Sequence, residues 1–137
     1  MCFSNNIDIK GMIVQEYLLE QSRITYTAEG ERNYHVFYQL VKGGDKRQFE
    51  LAPKESYHYL NQSGCYDCEG VSDEKGLEEL RMALTVLNVD DEYQDGLLSL
   101  VSAVLACGNL EFADHDESVK LTARDEKLAQ SIARLLG

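Results

Sequence analysis

"GERNYHVFYQL", Gly30 to Leu40, sets Tyr34, His35, Phe37 and Tyr38 within five positions, directly after a charged turn. Val36, Phe37, Leu40 and Val41 recur at i, i+3 and i+4 spacing, which predicts a helix from about Arg32 with one apolar face. Gly43-Gly44 supplies its stop, and Tyr34 and Tyr38, four apart, share an adjoining face. Asn33 suits the start, because an amide oxygen there accepts one of the orphan N–H groups of a first turn.

Toward the C-terminus the helical period continues. "GLEELRMALTVLNV" predicts a second helix with Leu77, Leu80, Leu84 and Leu87 inward and Glu78, Glu79 and Arg81 outward. "DDEYQDGLLSLVSAVLACGN" predicts a third, opened by acids that favour the positive end of the helix dipole and closed at Gly108-Asn109. Its apolar half is nearly continuous, so deep burial is expected. "TARDEKLAQSIARLLG" predicts a fourth, with Thr122 at the cap and Asp125 three residues on, a variant of the capping box. "NLEF" and "SVKL" between the third and fourth helices are strand candidates. Toward the N-terminus, "IDIKGMIVQEYLL" carries Ile7, Ile9, Met12, Ile13 and Val14 around Gly11, which reads as two short strands joined at a bend or one strand with a bulge. Strand character gives way at "SRITYTAEGERN".

At 137 residues and 44% hydrophobic content the chain is one domain's worth of polypeptide, long enough to bury roughly 68% of its unfolded surface in a core. Its longest apolar run, "LLSLVSAVLAC", is broken by two serines and falls short of the ~20 residues a bilayer span needs. "MCFSNNIDIK" lacks the basic start and apolar run of a secretory signal, so the expected compartment is the cytosol. The net charge of −11 argues against a nucleic-acid surface, which draws on clustered Lys and Arg.

Motifs that carry chemistry are scarce. Cys65 and Cys68 form "CYDC", a spacing that serves zinc sites and redox pairs. A tetrahedral site needs two more ligands, and Cys2, Cys107, His35, His58 and His115 offer neither a second C-x-x-C nor an H-x-x-x-H. The pair is therefore expected to be ordinary reduced thiols on a turn. No G-x-x-x-x-G-K-[ST] and no G-x-G-x-x-G occurs, and Asp67 to Gly70 matches a bare D-x-x-G that reads as a turn. No G-x-S-x-G elbow occurs and no carboxylates pair in an apolar setting. Catalytic, cofactor-binding and metal-binding residues are accordingly assigned to none.

Five blocks in order carry a family resemblance: "YLLEQSR" (Tyr17 to Arg23), "GERNYHVFYQL" (Gly30 to Leu40), "YLNQSGC" (Tyr59 to Cys65), "GVSD" (Gly70 to Asp73) and "GNLEF" (Gly108 to Phe112). Together they resemble the motor head of myosin over essentially the whole chain. The resemblance implies a segment of the upper half of that head, between its first and second nucleotide switches, with residues 1–137 forming one partial motor domain. The implied fold is α+β, mainly α-helical with a few short strands, an incomplete part of a P-loop-type head with a central sheet. "IDIKGMIVQEYLL" would then be the end of one strand and the whole of the next in that sheet, the first cut short at Met1 and its edge open to pairing.

The family's Gly-Lys-Thr, Ser-Ser-Arg and Asp-Ile-x-Gly-Phe-Glu are all absent, so the chain alone is expected to be inactive. Mg-ATP is implied only for the intact motor, and actin, an acidic filament, is expected to be met by other regions of the parent. The implied partners are the remainder of a motor head and the actin filament, with no nucleic acid and no membrane, in a cytoplasmic, cytoskeleton-associated setting. A stand-alone, non-enzymatic interaction module derived from a motor head is the alternative. Two departures stand out: Ala106-Cys107 where the family commonly has His-Leu, expected to loosen packing but leave the helix end intact, and Cys68. The resemblance implies a packing role for Tyr34, His35, Phe37 and Tyr38, with His35 packed or hydrogen-bonded rather than an acid or base.

Overall fold

The computed structural model describes residues 2–3, 9–11, 13, 22–115 and 118–137. The elements are β1 (Cys2–Phe3), β2 (Ile9–Gly11), α1 (Ser22–Thr25), α2 (His35–Gly43), a single 3-10 turn (Lys54–Ser56), α3 (His58–Asn61), α4 (Asp73–Val86), α5 (Asp91–Cys107), β3 (Phe112–His115), β4 (Ser118–Leu121) and α6 (Ala123–Leu136). β1 pairs antiparallel with β2, and β3 with β4 in a continuous register from Phe112 opposite Leu121 to His115 opposite Ser118. The described strands form two separate two-stranded ribbons.

The helices sit where the apolar period places them, and their caps follow from side chains. The Ser72 hydroxyl accepts from the Lys75 N–H at the head of α4, and the Asp90 carboxylate accepts from the Tyr93 N–H at 2.8 Å at the head of α5. Thr122 and Asp125 close the capping box of α6, where the Thr122 hydroxyl accepts from the Asp125 N–H. Each such cap satisfies a donor that the helix leaves orphaned.

α2 is the centre of the packing. Phe37, Tyr38 and Val41 bury against Tyr57, Leu60 of α3 and Leu105 of α5. One turn round, Leu40 meets Phe49, Leu77 of α4 and Leu98 of α5. α6 closes the far side of α5, with Ile132 against Ala103 and Ala106. The residues between α2 and α4 are held by polar bonds as well as by the packing of Phe49, Tyr57 and Leu60. The buried Ser102 hydroxyl of α5 donates to the Phe49 carbonyl at 2.7 Å, and Asn109 reaches the His58 N–H at 2.7 Å and the Ser56 carbonyl at 2.8 Å.

Several expectations are corrected. α2 begins at His35 rather than near Arg32, and Asn33 does not cap it directly; its oxygen takes the Tyr34 N–H at 2.7 Å. Leu87 lies past the end of α4 and is exposed, and α5 buries one face while Leu97 and Leu100 face outward. The strand expected at "NLEF" starts only at Phe112. The end of α5 is intact to Cys107, as expected, and Ala106 there packs against Ile132. β2 occupies part of "IDIKGMIVQEYLL" and is paired to β1; the second strand expected there, and "YLLEQ", lie outside the described residues.

Candidate functional site

The charged turn ahead of α2 leads into a chain of alternating charges. The Arg32 guanidinium donates from Nη2 to both Asp73 oxygens, at 2.8 and 2.9 Å, with the two side chains 7% and 1% exposed. Asp73 opens α4, where the helix dipole also favours a carboxylate. Lys42, in the last turn of α2, donates to the same Asp73 at 2.8 Å and also to Asp67 in the segment between α3 and α4. Asp67 in turn accepts from Lys54 of the 3-10 turn at 2.8 Å. Arg32, Asp73, Lys42, Asp67 and Lys54 thus tie both ends of α2 to the start of α4 and to the segment carrying Cys65 and Cys68.

The electrostatics follow from these contacts. Burial pushes the Asp73 carboxyl up, but the hydrogen bonds from Lys42 and Arg32 outweigh it and hold the group below the ordinary carboxylate range. Asp67, far more exposed, is drawn down to about 2 by hydrogen bonds from Lys42 and then Lys54. Burial opposes the charge of Lys42, and its bonds to Asp67 and Asp73 overcome that and raise its pKa. Carboxylates held so firmly ionised are poor proton acceptors near neutrality. The arrangement is a mechanical tie between elements.

Tyr38 locks the other side of Arg32. The guanidinium carbon lies 3.9 Å from the centre of the Tyr38 ring, within cation–π range, and the Tyr38 hydroxyl accepts the Asn33 N–H at 3.0 Å. Burial raises the pKa of this phenol. Asn33 is itself buried, and its amide donates to the Tyr59 carbonyl at 2.9 Å and the Ile24 carbonyl at 3.3 Å. One short stretch therefore joins α1, α2, α3 and α4.

A cavity of about 350 Å³ opens beside this network, and its lining includes Arg23, Arg32, His35, Cys65 and Cys68. His35 is exposed in the first turn of α2, a correction to its expected packing: the helix starts later than the period suggested, so its first residue points away from the core. Cys68 opens a turn closed by the Val71 N–H on its carbonyl at 3.1 Å, as expected, whereas Cys65 lies ahead of that turn. The segment that carries them runs between Gly64 and Gly70, whose φ of +68° and +78° make the bends that glycine tolerates. Among the described residues no three His, Cys, Asp or Glu side chains converge as metal ligands. The partner of Arg32 was missed, since a reading by helical period gives Asp73, 41 residues away, no reason to face it. The usable signal was that both lie in recognisable blocks, "GERN" and "GVSD".

Comparison with known proteins bears on the whole chain. The family of the myosin head (motor domain) matches residues 1–137. Myosin IA heavy chain of Dictyostelium discoideum is 36% identical over 136 residues, covering 95% of this chain and 14% of that protein. Myosin-I heavy chain of the same organism is 43% identical over 113 residues, covering 80% of this chain and 5% of that protein. Myosin-7 of Arabidopsis thaliana is 39% identical over 121 residues, covering 87% of this chain and 7% of that protein. The chain spans a small fraction of the length of each of these relatives.

Proposed function

Since the chain belongs to the myosin head (motor domain) family, we propose that it is a structural and transducing segment of an actin-based, ATP-driven cytoskeletal motor. The observation that carries this reading is the ion chain through Arg32, Asp73, Lys42, Asp67 and Lys54, in which the buried Asp73 joins Arg32 and Lys42 and the exposed Asp67 continues the chain to Lys54. The Arg32 to Asp73 pair resists independent movement of α2 and α4, because removing one partner of a buried pair costs ~3–5 kcal/mol, while the links at exposed Asp67 add only ~0–1 kcal/mol each. The segment thereby moves as one piece when the rest of the head changes state.

The chain contains no phosphate loop of the G-x-x-x-x-G-K-[ST] type, so in this reading Mg-ATP is held by other residues of the head. The central sheet of the head is likewise completed by strands beyond β1 and β2. Actin is met by other regions, and the setting is cytoplasmic and cytoskeletal. Among the described residues no helix is long and apolar enough to cross a membrane.

The test is replacement. Exchanging the matching segment of the Dictyostelium Myosin IA heavy chain for residues 1–137 should give a head that still hydrolyses ATP and is activated by actin. The isolated 137-residue chain should show no saturable Mg-ATP binding by titration calorimetry. Saturable binding by the isolated chain, or a folded chimera that binds ATP but never turns it over, would overturn the proposal.

A second reading, a non-enzymatic interaction module, draws on the exposed apolar side chains of Tyr93, Leu97 and Leu100 along α5. Exposed apolar surface of this kind marks protein contacts. A chain that captures no partner and associates with no second copy leaves that reading without support.

A further inference from the structure

Glu50 stands where glycine is the ordinary residue. In the turn after α2 the Leu51 N–H donates to the Lys46 carbonyl at 3.0 Å and the Glu50 N–H to the Arg47 carbonyl at 3.4 Å. These two bonds close a Schellman motif in which the residue at Glu50 must turn left-handed, and its φ is +48°. A side chain there costs free energy that glycine avoids, and such a residue persists where its surroundings hold it. What holds Glu50 comes from α6, 81 and 84 residues on. Arg134 donates from Nε to one carboxylate oxygen and from Nη2 to the other, each at 2.9 Å, and the Ser131 hydroxyl donates as well. The hydrogen bonds from Arg134, then from Ser131, hold the Glu50 carboxyl below its ordinary range.

The rest of α6 is lightly held. Among its described side chains only Asp125 and Ile132 are buried. Asp125 in the first turn accepts from the Glu111 N–H at 3.3 Å, and Ile132 rests on Ala103 and Ala106 of α5 with Leu128 and Leu135 half-buried beside it. The other side of the Glu50 contact is firm: Phe49 is 2% exposed among Leu40, Leu77 and Leu98, and its carbonyl takes the Ser102 hydroxyl. α6 is therefore fixed at its start, seated on one buried apolar side chain, and caught at its end by a residue fastened to the core. Elements with so few buried contacts are the ones that open locally.

We propose that α6 is a strap that opens and closes over α5 about its first turn, with Glu50 as the catch, and that the turn ending at Glu50 carries the state of the strap to the core beneath α2. With the strap closed, the bidentate Arg134 pair, a strong form of ion pairing, offsets the left-handed backbone at Glu50. With the strap open that offset is gone, and the turn loosens beside Phe49. The strap contains no residue of the ion chain through Asp73 and works independently of it.

Hydrogen exchange on the full chain, read amide by amide by NMR, separates a catch from a passive surface pair. Arg134→Gln should speed exchange at Gln130 to Ala133 of α6 by about three- to fivefold, as the loss of a well-formed surface ion pair allows. The Leu51 amide should speed up with them, because the left-handed step at Glu50 is then unopposed. Glu50→Gly should loosen α6 by the same factor but leave the Leu51 amide at least as protected as in the parent, because glycine makes the turn without strain. Salt at about 1 M, where screening acts beyond about 3 Å, should speed α6 exchange in the parent and not in Glu50→Gly. The amides of Leu40 and Val41 in α2 should hold their rates in both variants. Unchanged α6 exchange in both variants, a Leu51 amide that responds alike in the two, or an equal acceleration at Leu40 and Val41 overturns the proposal.

Discussion

At the scale of single residues, Tyr38 does more than fill space. Its ring lies under Arg32 and its hydroxyl satisfies the Asn33 N–H, both in a region closed to water. Tyr38→Phe keeps the ring and orphans that N–H, so it should cost ~1–3 kcal/mol by urea denaturation. Phe37→Ala removes a side chain that is 5% exposed and packed at the centre of the fold, and should cost ~3–5 kcal/mol. His35→Gln, one position from Val36 but exposed, should change stability by less than ~0.5 kcal/mol. The contrast within three residues is the check, since a general loosening of α2 would move all three variants together. Phe37 was legible from apolar spacing, and the packing of Tyr38 only from what the resemblance implies. The Arg32 to Asp73 pair was not, because charge pairing over such a separation depends on how two helices meet and leaves no local period. The exposure of His35 was hidden for the opposite reason, since the resemblance assigned packing to the whole aromatic run and α2 begins inside it.

At the scale of elements, the connections between helices set two different sensitivities. Gly44, where α2 stops, would bring a Cβ within 2.6 Å of the Leu40 carbonyl oxygen and 2.8 Å of Leu40 Cδ1, whereas a Cβ on Gly96 in α5 meets nothing within 4 Å. Gly44→Ala should therefore destabilise by ~1–3 kcal/mol, and Gly96→Ala should stabilise by ~0.5–1 kcal/mol through helix propensity. Thermal unfolding of the two variants in parallel reads both signs. The ion chain between α2 and α4 adds a dependence on acid. The unfolded chain protonates Asp67 near 3.8, while the native group holds its charge to about 2, and Asp73 is lowered in the same sense. A depressed native pKa gives stability that is fully present above the unfolded value and is lost as pH falls through the native one. Stability should thus decline between about pH 4 and 2, with a shallower decline in Asp67→Asn; an unchanged slope by denaturation at graded pH would show that Asp67 is not held by Lys42 and Lys54. Helix starts were legible at Asp90 and Thr122, whose capping bonds are local. The end of α4 was not, because Leu87 continues the apolar period although the helix stops at Val86, just ahead of the turn at Asn88 with its φ of +61°.

At the scale of the whole molecule, the apolar surface left uncovered distinguishes a segment from a self-sufficient domain. α5 buries Leu98, Ser102 and Leu105 on one side and presents Tyr93, Leu97 and Leu100 on another, with Tyr93 67% exposed. Met82 and Val86 of α4 and Leu87 beyond it are also open. Side chains of this kind cost free energy in water at about 25 cal/mol per Å². A sequence that keeps them at helical spacing beside acidic neighbours is built for a covered state. If the cover is the remainder of a motor head, Leu97→Lys with Leu100→Glu should leave the melting temperature of the isolated chain nearly unchanged, because neither residue is in its core, and should lower the yield of folded head when placed in the longer protein. The isolated parent chain should meanwhile associate as its concentration rises, as seen by light scattering after size-exclusion chromatography, and the double variant should stay monomeric. A full-length head that folds and hydrolyses ATP equally well with the double substitution would show that this face stays open in the motor, and would shift the weight of evidence to the interaction-module reading.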